Sequence, residues 1–369
     1  MQERAGDAVR KARPLLTWGC RGEAGHEEAA HIVLAKRAAL LLGFDYRGRL
    51  EDFPGDGRPY CVPRDTLCGD EGSPCLAGLT ETDLLGGWVP RRLFATKAII
   101  HPLAPGEAAP PGWPHAFTAD ARGLTLCGFT ALTRAGAMHC GTTLLRSGDI
   151  RVKAVSASGG KQQYVARTAG ELSDIIDGFD GDCALQDSLV LEENLSDVRT
   201  YSVGQTRLGG MVAAYVGQQD LTADNRGETV YGGSRLSVVR GGYRELLSML
   251  SDEDEAICRM AVQFDRLAAR RLGLVASRRN YDIVTGIDGA GRRKAAVLEQ
   301  SWRVGGATGA EIAALEAFEH RPDLNHVQAA TVERYGQGTV PPGHATIYFR
   351  GNDPSVGPFL KYAVLQDEH

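Results

Sequence analysis

Apolar positions along this chain follow two periods. The clearest helical stripe is "DEDEAICRMAVQFDRLAARRLG" (residues 252–273), with an acidic first turn, an Arg-rich last turn and Gly273 as its cap. "EEAAHIVLAKRAALLLG" carries a similar stripe and predicts a core helix that stops at Gly43. Strand-like runs flank it, "RPLLTW" before and "GFDYRG" after, and a further apolar strand is expected from Phe94 to Ile100. This alternation predicts an open α/β domain over residues 1–125. The Pro- and Gly-rich "PLAPGEAAPPGWP" (102–114) reads as loop or linker.

The pattern sharpens from residue 126. "CGFTALTRAGAM" predicts a short helix, and "DIRVKAVS" and "KQQYVAR" predict strands on either side of a glycine loop. A helix over 169–179 and a strand through "CALQDSLVL" follow, and then "DVRTYSVGQ" and "GMVAAYVGQ" pair as a hairpin. A small central α+β unit is therefore expected over 126–205, with a larger α+β unit over 206–369 and no internal repeat.

The loop in "VKAVSASGGKQQYVART" (152–168) resembles a phosphate loop only at first sight. A Walker A loop needs Ser or Thr after Gly-Lys and a helix directly behind it, to supply a magnesium-bound hydroxyl and backbone N–H donors. Here Gln162 follows Gly160-Lys161, Val155 stands where the first Gly belongs, and the next residues favour a strand. The loop therefore joins two strands.

Composition narrows the class. A formal net charge of −5 argues against a general nucleic-acid binder. No apolar run is long enough to cross a bilayer, and the first twenty residues lack a secretory signal, so a cytoplasmic protein without a membrane partner is expected. Eight scattered cysteines are expected to be free thiols. Cys61, Cys68 and Cys75 form C-x6-C-x6-C, but no C-x2-C or matching His supports a metal there. In "HEEAAH", His26 and His31 are five apart, about 140° around a helix at about 100° per residue, and cannot share one ion.

A second informative stretch is "YDIVTGIDGAGRRKAAVLEQSWRVGG" (281–306). Two strands joined by "IDGAGR" form a hairpin centred between Ala290 and Gly291, which sets Asp282 opposite Glu299. Two carboxylates facing each other repel unless a cation lies between them, and magnesium carrying a nucleotide's phosphates suits that place. Arg303 then stands where it could reach a transferring phosphoryl group or an oxyanion. Two solvated strand carboxylates would look the same in sequence.

A strand lysine, a glycine loop, a hinge strand and a downstream acid hairpin occur here in that order, and the order resembles the ATP-grasp superfamily over about residues 126–340. The resemblance implies an ATP-grasp fold of α/β and α+β class: an open N-terminal α/β domain, a small central α+β lid and a larger C-terminal α+β domain. It makes Lys153 the phosphate-binding lysine and Ser158, Gly159, Gly160 and Lys161 the lid loop. It makes "LQDSL", with Gln186, Asp187 and Leu189, the hinge whose backbone meets adenine, and gives the ribose to Asp197, with Glu193 as the alternative. Asp282 and Glu299 match its magnesium acids, and Arg303 its arginine. Two departures stand out. Ser301 replaces the motif's Asn, leaving a hydroxyl as the third metal ligand, and the second phosphate-binding lysine, expected near Gly128, is absent, with Lys97 too far upstream to align with it. The whole chain, including "GGYREL" and "RYGQG", also resembles a proteobacterial family labelled biotin carboxylase-like, without implying biotin chemistry.

The resemblance implies ATP and Mg2+ as cofactors. The reaction it implies is an ADP-forming activation of a small-molecule or peptide carboxylate as an acyl phosphate, captured by an amine or thiol, and a homodimer is compatible with it. The alternatives are a biotin- or bicarbonate-type carboxylase and a nucleotide-binding regulatory protein without catalysis. Arg226, Arg235 and Arg240 in "LTADNRGETVYGGSRLSVVRGG" suit either a loop closing over an anionic substrate or a solvated strand edge.

Overall fold

A computed structural model of the protein describes residues 12–19, 25–55, 58–71, 78–155, 162–179 and 188–366. The N-terminal alternation folds as its pattern predicts. β1 (Pro14–Trp18) leads through α1 (His26–Leu42) to β2 (Asp45–Arg49), and β3 (Tyr60–Pro63) completes a parallel sheet in the order β2-β1-β3. Gly43 closes α1 at φ 65°, a conformation open to glycine at little cost. At its other end, Asp353 from far along the chain caps the helix: its Oδ2 accepts the His26 backbone N–H at 2.6 Å and lies 2.8 Å from Nδ1 of the same histidine.

β4 (Leu67–Cys68) and β5 (Gly87–Val89) are short and parallel. The strand expected from Phe94 to Ile100 is instead two 3-10 turns, Arg92–Ala95 and Lys97–Ile100, and the Thr96 side chain starts the second by accepting the Ala98 N–H. Leu93, Phe94, Ala98, Ile99 and Ile100 are all buried. The buried residues come in blocks on either side of the half-buried residues 95–97, which gives no period that separates strand from turn. After α2 (His115–Asp120), β6 (Gly128–Ala131) occupies the start of the stretch expected to be a helix. The helix itself, α3 (Arg134–Leu144), begins only where the Thr133 side chain accepts the Gly136 N–H.

β7 (Ile150–Ala154), β8 (Gln163–Ala166), α4 (Ala169–Asp177) and β9 (Leu189–Glu193) complete a four-stranded antiparallel sheet, in the order β6-β9-β7-β8. It has its own core, built from Ala137 and Leu144 of α3, Leu172 of α4 and Ile150, Val152 and Leu191 of the sheet. The chain leaves this sheet at Asn194–Leu195.

β10 (Ser196–Leu208), β11 (Met211–Ala223) and β12 (Thr229–Arg240) open an eight-stranded antiparallel sheet. α5 (Tyr243–Leu247), α6 (Asp252–Leu272), β13 (Val275–Ala276), β14 (Arg278–Ile287), β15 (Arg293–Ser301), α7 (Thr308–His320), β16 (His326–Tyr335), β17 (Thr346–Asp353) and β18 (Gly357–Gln366) follow. The sheet order is β15-β14-β10-β11-β12-β16-β18-β17. Alternating residues serve its two faces: Val203 and Val216 pack with Phe264 of α6, while Tyr215, Leu236 and Val238 pack with Ile312 of α7. Leu34 and Ala38 of α1 belong to that second core, and β13 pairs with β5, so the N-terminal elements are built onto the large sheet. Arg235 and Arg240 lie on an interior strand here, while Arg226 is exposed in the turn between β11 and β12. Arg235 pairs with Asp220 at 2.8 Å, and Arg240 donates to the carbonyls of Leu324 and Arg321. Among the described residues, no helix is long and apolar enough to cross a membrane.

Candidate functional site

Next to its turn, the β14–β15 hairpin is centred on Ala290, with Ile287 opposite Arg293 and Ile283 opposite Val297. Continued unchanged, that register would set Asp282 against Leu298. A bulge shifts it by one residue, so Asp282 faces Glu299 and Asn280 faces Ser301. Four polar side chains thus share one face of the sheet. Burial first, and the Glu299 charge second, hold the Asp282 carboxyl well above the usual carboxylate range. Asn280 Nδ2 donates to Asp282 Oδ1 at 3.0 Å and the Ser202 hydroxyl donates to the same oxygen at 3.4 Å, but the lowering by Gln219, Asn280 and Arg278 does not offset both effects.

A buried polar network backs this face. Arg278 Nη2 lies 2.7 Å from Glu311 Oε1, with both side chains almost wholly buried. The Tyr215 hydroxyl sits 2.7 Å from Glu311 Oε1 and 3.0 Å from Asn280 Oδ1, and the Thr206 hydroxyl donates to Glu311 Oε2 at 2.7 Å. Arg278 Nη1 donates to the backbone carbonyls of Ser301 and Arg303, which fixes the strand end just past Glu299. Fully satisfied networks of this kind hold their members in one arrangement.

Cations arrive from elsewhere in the chain. Lys97 Nζ lies 3.2 Å from Glu299 Oε2, so the lysine that alignment along the chain sets aside stands beside a predicted metal acid. Gln300 Nε2 donates to the Thr96 carbonyl at 2.9 Å and anchors that turn to β15. Just past the turn, His101 Nε2 lies 2.9 Å from Glu192 Oε2. Lys153 Nζ lies 2.5 Å from the other oxygen, Glu192 Oε1. Burial pushes the Glu192 carboxyl up, but Lys153 and His101 outweigh it and hold it down at about 2. All three side chains are buried, with Lys153 at 6% exposure. Residues 97–101 therefore link the acid hairpin of the large sheet to the lysine strand of the small one.

The other predicted residues are placed unevenly. Ser158, Gly159, Gly160, Lys161, Gln186 and Asp187 lie outside the described residues. The strands around the glycine loop pair as expected, Lys153 opposite Gln163. Leu189 lies inside the small sheet, opposite Ala131 and Ala154, and the crossing to the large sheet comes later, at Asn194–Leu195. Glu193, the alternative for ribose, is already engaged: its Oε1 accepts the Cys127 N–H at 2.9 Å and Lys294 Nζ at 2.7 Å. Asp197 is exposed and takes φ 49°. Arg303 is partly exposed, its Nε 3.7 Å from Asp65 Oδ1. Of the residues set aside in sequence, His31 is buried against the Val62 carbonyl, its pKa lowered to about 4 by desolvation, while Cys61 and Cys68 are buried and Cys75 lies outside the described residues.

Among the described residues no group of three or more His, Cys, Asp or Glu side chains is placed to hold a metal ion. The donor set on the hairpin is smaller, the carboxylates of Asp282 and Glu299 with the hydroxyl of Ser301. All are hard oxygen donors of the type magnesium takes. The raised Asp282 carboxyl marks a place where added positive charge would be stabilising. The residues fit one such ion.

Residues 18–363 match the model of the family described as "Protein of unknown function (DUF3182)". No curated protein matches the chain. Solved structures do, at low identity. The carboxyaminoimidazole ribonucleotide synthase of Aspergillus clavatus complexed with ATP is 11% identical, with a TM-score of 0.51 over 96% of this chain and 94% of that one. The biotin carboxylase domain of 2-oxoglutarate carboxylase from Hydrogenobacter thermophilus, in complex with MgADP, ADP and bicarbonate, is 12% identical, with a TM-score of 0.51 over 97% and 87%. The biotin carboxylase of Campylobacter jejuni gives 9% identity and a TM-score of 0.50 over 96% and 88%. These similarities show that the fold is ATP-grasp.

Proposed function

We propose that this chain, which belongs to the DUF3182 family, is an ATP- and magnesium-dependent ligase that activates a carboxylate as an acyl phosphate for capture by an amine or thiol. One observation carries the reading. Two opposed carboxylates on one sheet and a buried lysine on another are linked by a single turn that brings a second lysine, Lys97, to the acids. Polyphosphate with a divalent cation needs both signs of charge in that arrangement. The nucleotides named in the similar structures, ATP and MgADP, support the same reading.

Under it, Lys97 and Lys153 bind the phosphates, and Ser158, Gly159, Gly160 and Lys161 keep the covering role that the resemblance assigns them. Asp282, Glu299 and Ser301 hold magnesium, which supplies charge neutralisation at the phosphates. The substrate carboxylate attacks the γ-phosphorus as ADP leaves. The amine or thiol then attacks the acyl carbon, and phosphate departs. Arg303 faces the charge that grows on the transferring group, and the chain's contribution is placement and electrostatics.

The test is a screen of carboxylic acids, bicarbonate included, against amines and thiols for ADP release, followed by product mass. Acid- and acceptor-dependent ADP with a condensed product supports the ligase. A carboxylated product formed from bicarbonate would make it a carboxylase. Protein that binds ATP yet releases no ADP with any pair would make it a nucleotide-binding regulator.

A further inference from the structure

The Lys153–Glu192–His101 cluster contains one more titratable group than phosphate binding requires. Glu192 is fully buried and both its oxygens are taken, Oε1 by Lys153 at 2.5 Å and Oε2 by His101 at 2.9 Å. A carboxylate oxygen accepts, so His101 Nε2 carries its hydrogen, and Nδ1 presents the ring's lone pair. That Nδ1 is buried and has no hydrogen-bond partner among the described residues. The ring is clamped as well: a Cβ at Gly128 would come within 2.8 Å of Nε2 and 2.9 Å of Cε1, so glycine there lets β6 pack against the imidazole edge.

We infer that His101 takes up a proton when nucleotide phosphate binds at Lys153, so that the affinity for ATP is proton-linked. The inference rests on the reading that Lys153 contacts phosphate. With His101 neutral, the cluster balances as one ammonium against one carboxylate. A phosphate beside Lys153 shares the ammonium charge and leaves Glu192 short of countercharge. A buried carboxylate so exposed is strongly destabilised, and the available remedy is a proton on the imidazole already bonded to it. One proton enters from solvent, the ammonium turns toward phosphate, the carboxylate faces an imidazolium, and no covalent bond to carbon or phosphorus changes.

Among the described residues, no other charge on the surrounding elements is placed to take that part. On the same turn Lys97 is held by Glu299. On β9, Glu193 is held by Lys294, and on β7, Arg151 donates to Asn194. β6 carries no charged residue, and on α2 Asp120 pairs with Arg271 while His115 opens the helix. The preceding turn adds Arg92, whose backbone N–H donates to Asp70.

The experiment is titration calorimetry of MgATP, with magnesium in excess, in buffers of different ionisation enthalpy at about pH 7.5. The slope of apparent enthalpy against ionisation enthalpy counts protons taken up. We expect clear uptake, approaching one proton, for ATP and none for adenosine, and a wild-type Kd that weakens by up to about tenfold per pH unit above neutrality. His101→Gln keeps an amide donor for Glu192 but takes no proton, so its slope should vanish and its Kd become flat with pH. ATP binding with no uptake in the wild type, or uptake that survives in His101→Gln, overturns the inference and leaves the ligase reading standing. Equal slopes for ATP and adenosine overturn it even if the variant does not fold. Absence of ATP binding by the wild type removes both.

Discussion

The two sheets that frame the site treat charge in opposite ways. The small sheet delivers Lys153 already paired, inside a buried cluster with Glu192 and His101. The large sheet delivers Asp282 and Glu299 facing each other, with Lys97 as the nearby cation and burial and the Glu299 charge holding the Asp282 carboxyl above the usual carboxylate range. On the small sheet the charges that would meet a nucleotide also hold the structure together. On the large sheet they oppose it. Local conflict that a fold tolerates is the usual mark of residues kept for function.

The largest expected effect tests the first half of this contrast. Glu192→Ala leaves Lys153 buried without a carboxylate and should cost about 3–5 kcal/mol of stability. Hydrogen exchange should show the loss in β6–β9 while β10–β12 stay protected. A variant as stable as the wild type in denaturant would erase the contrast.

Arg303 tests the other half. It is partly exposed and holds no element in place, so Arg303→Ala should leave the melting temperature within a few degrees of wild type. Its kcat on the identified substrate should nevertheless fall about 100-fold, with KM for ATP changed less than about threefold. Full kcat would remove Arg303 from the mechanism.

Lys97→Ala is expected to weaken MgATP binding about tenfold, read by calorimetry, because a charge-assisted phosphate contact is lost and Glu299 loses its neighbour. Unchanged affinity would return Lys97 to a purely structural place.

The smallest effect is the most diagnostic in sign. Asp282→Asn removes one of two facing carboxylates and should stabilise the fold by up to about 1 kcal/mol near neutral pH, in denaturant titration. The Asp282 carboxyl is raised in the folded state, so the wild type gains a proton and stability as pH falls, and the advantage of the amide should disappear by about pH 4. Glu192 behaves the other way. Its folded value is depressed, so its contribution is complete above the unfolded carboxylate range and lost as pH falls toward about 2. An Asp282→Asn variant less stable than wild type at neutral pH would show that the acids support the fold.

The uneven legibility of the site follows from the same chemistry. The facing of Asp282 and Glu299 could be read along the chain because a hairpin sets partners by counting, and the bulge at Leu298 made up for a turn centred on Ala290. The lysine strand could be read because "DIRVKA" and "QYVA" carry β-type residues on both sides of the glycines. Lys97 could not, since its place depends on a 3-10 turn in a largely apolar run with no clear period. Neither could Glu192: "LVLEE" continues as a strand through the acids, so nothing local shows that a lysine and a histidine meet there. β6 was hidden behind the helix that follows it, because "GFTA" is too short to show a period.

The cap on α1 ties sequence order to time. Helix α1 is capped at its start by Asp353 and packed against α7 and β17, all supplied about 300 residues later. A chain emerging from the ribosome N-terminus first makes α1 roughly 300 residues before its cap exists. Until β17 is synthesised, the part of α1 that packs on it has no partner. The β1–α1–β2 unit is therefore made before its cap and finished only after β17.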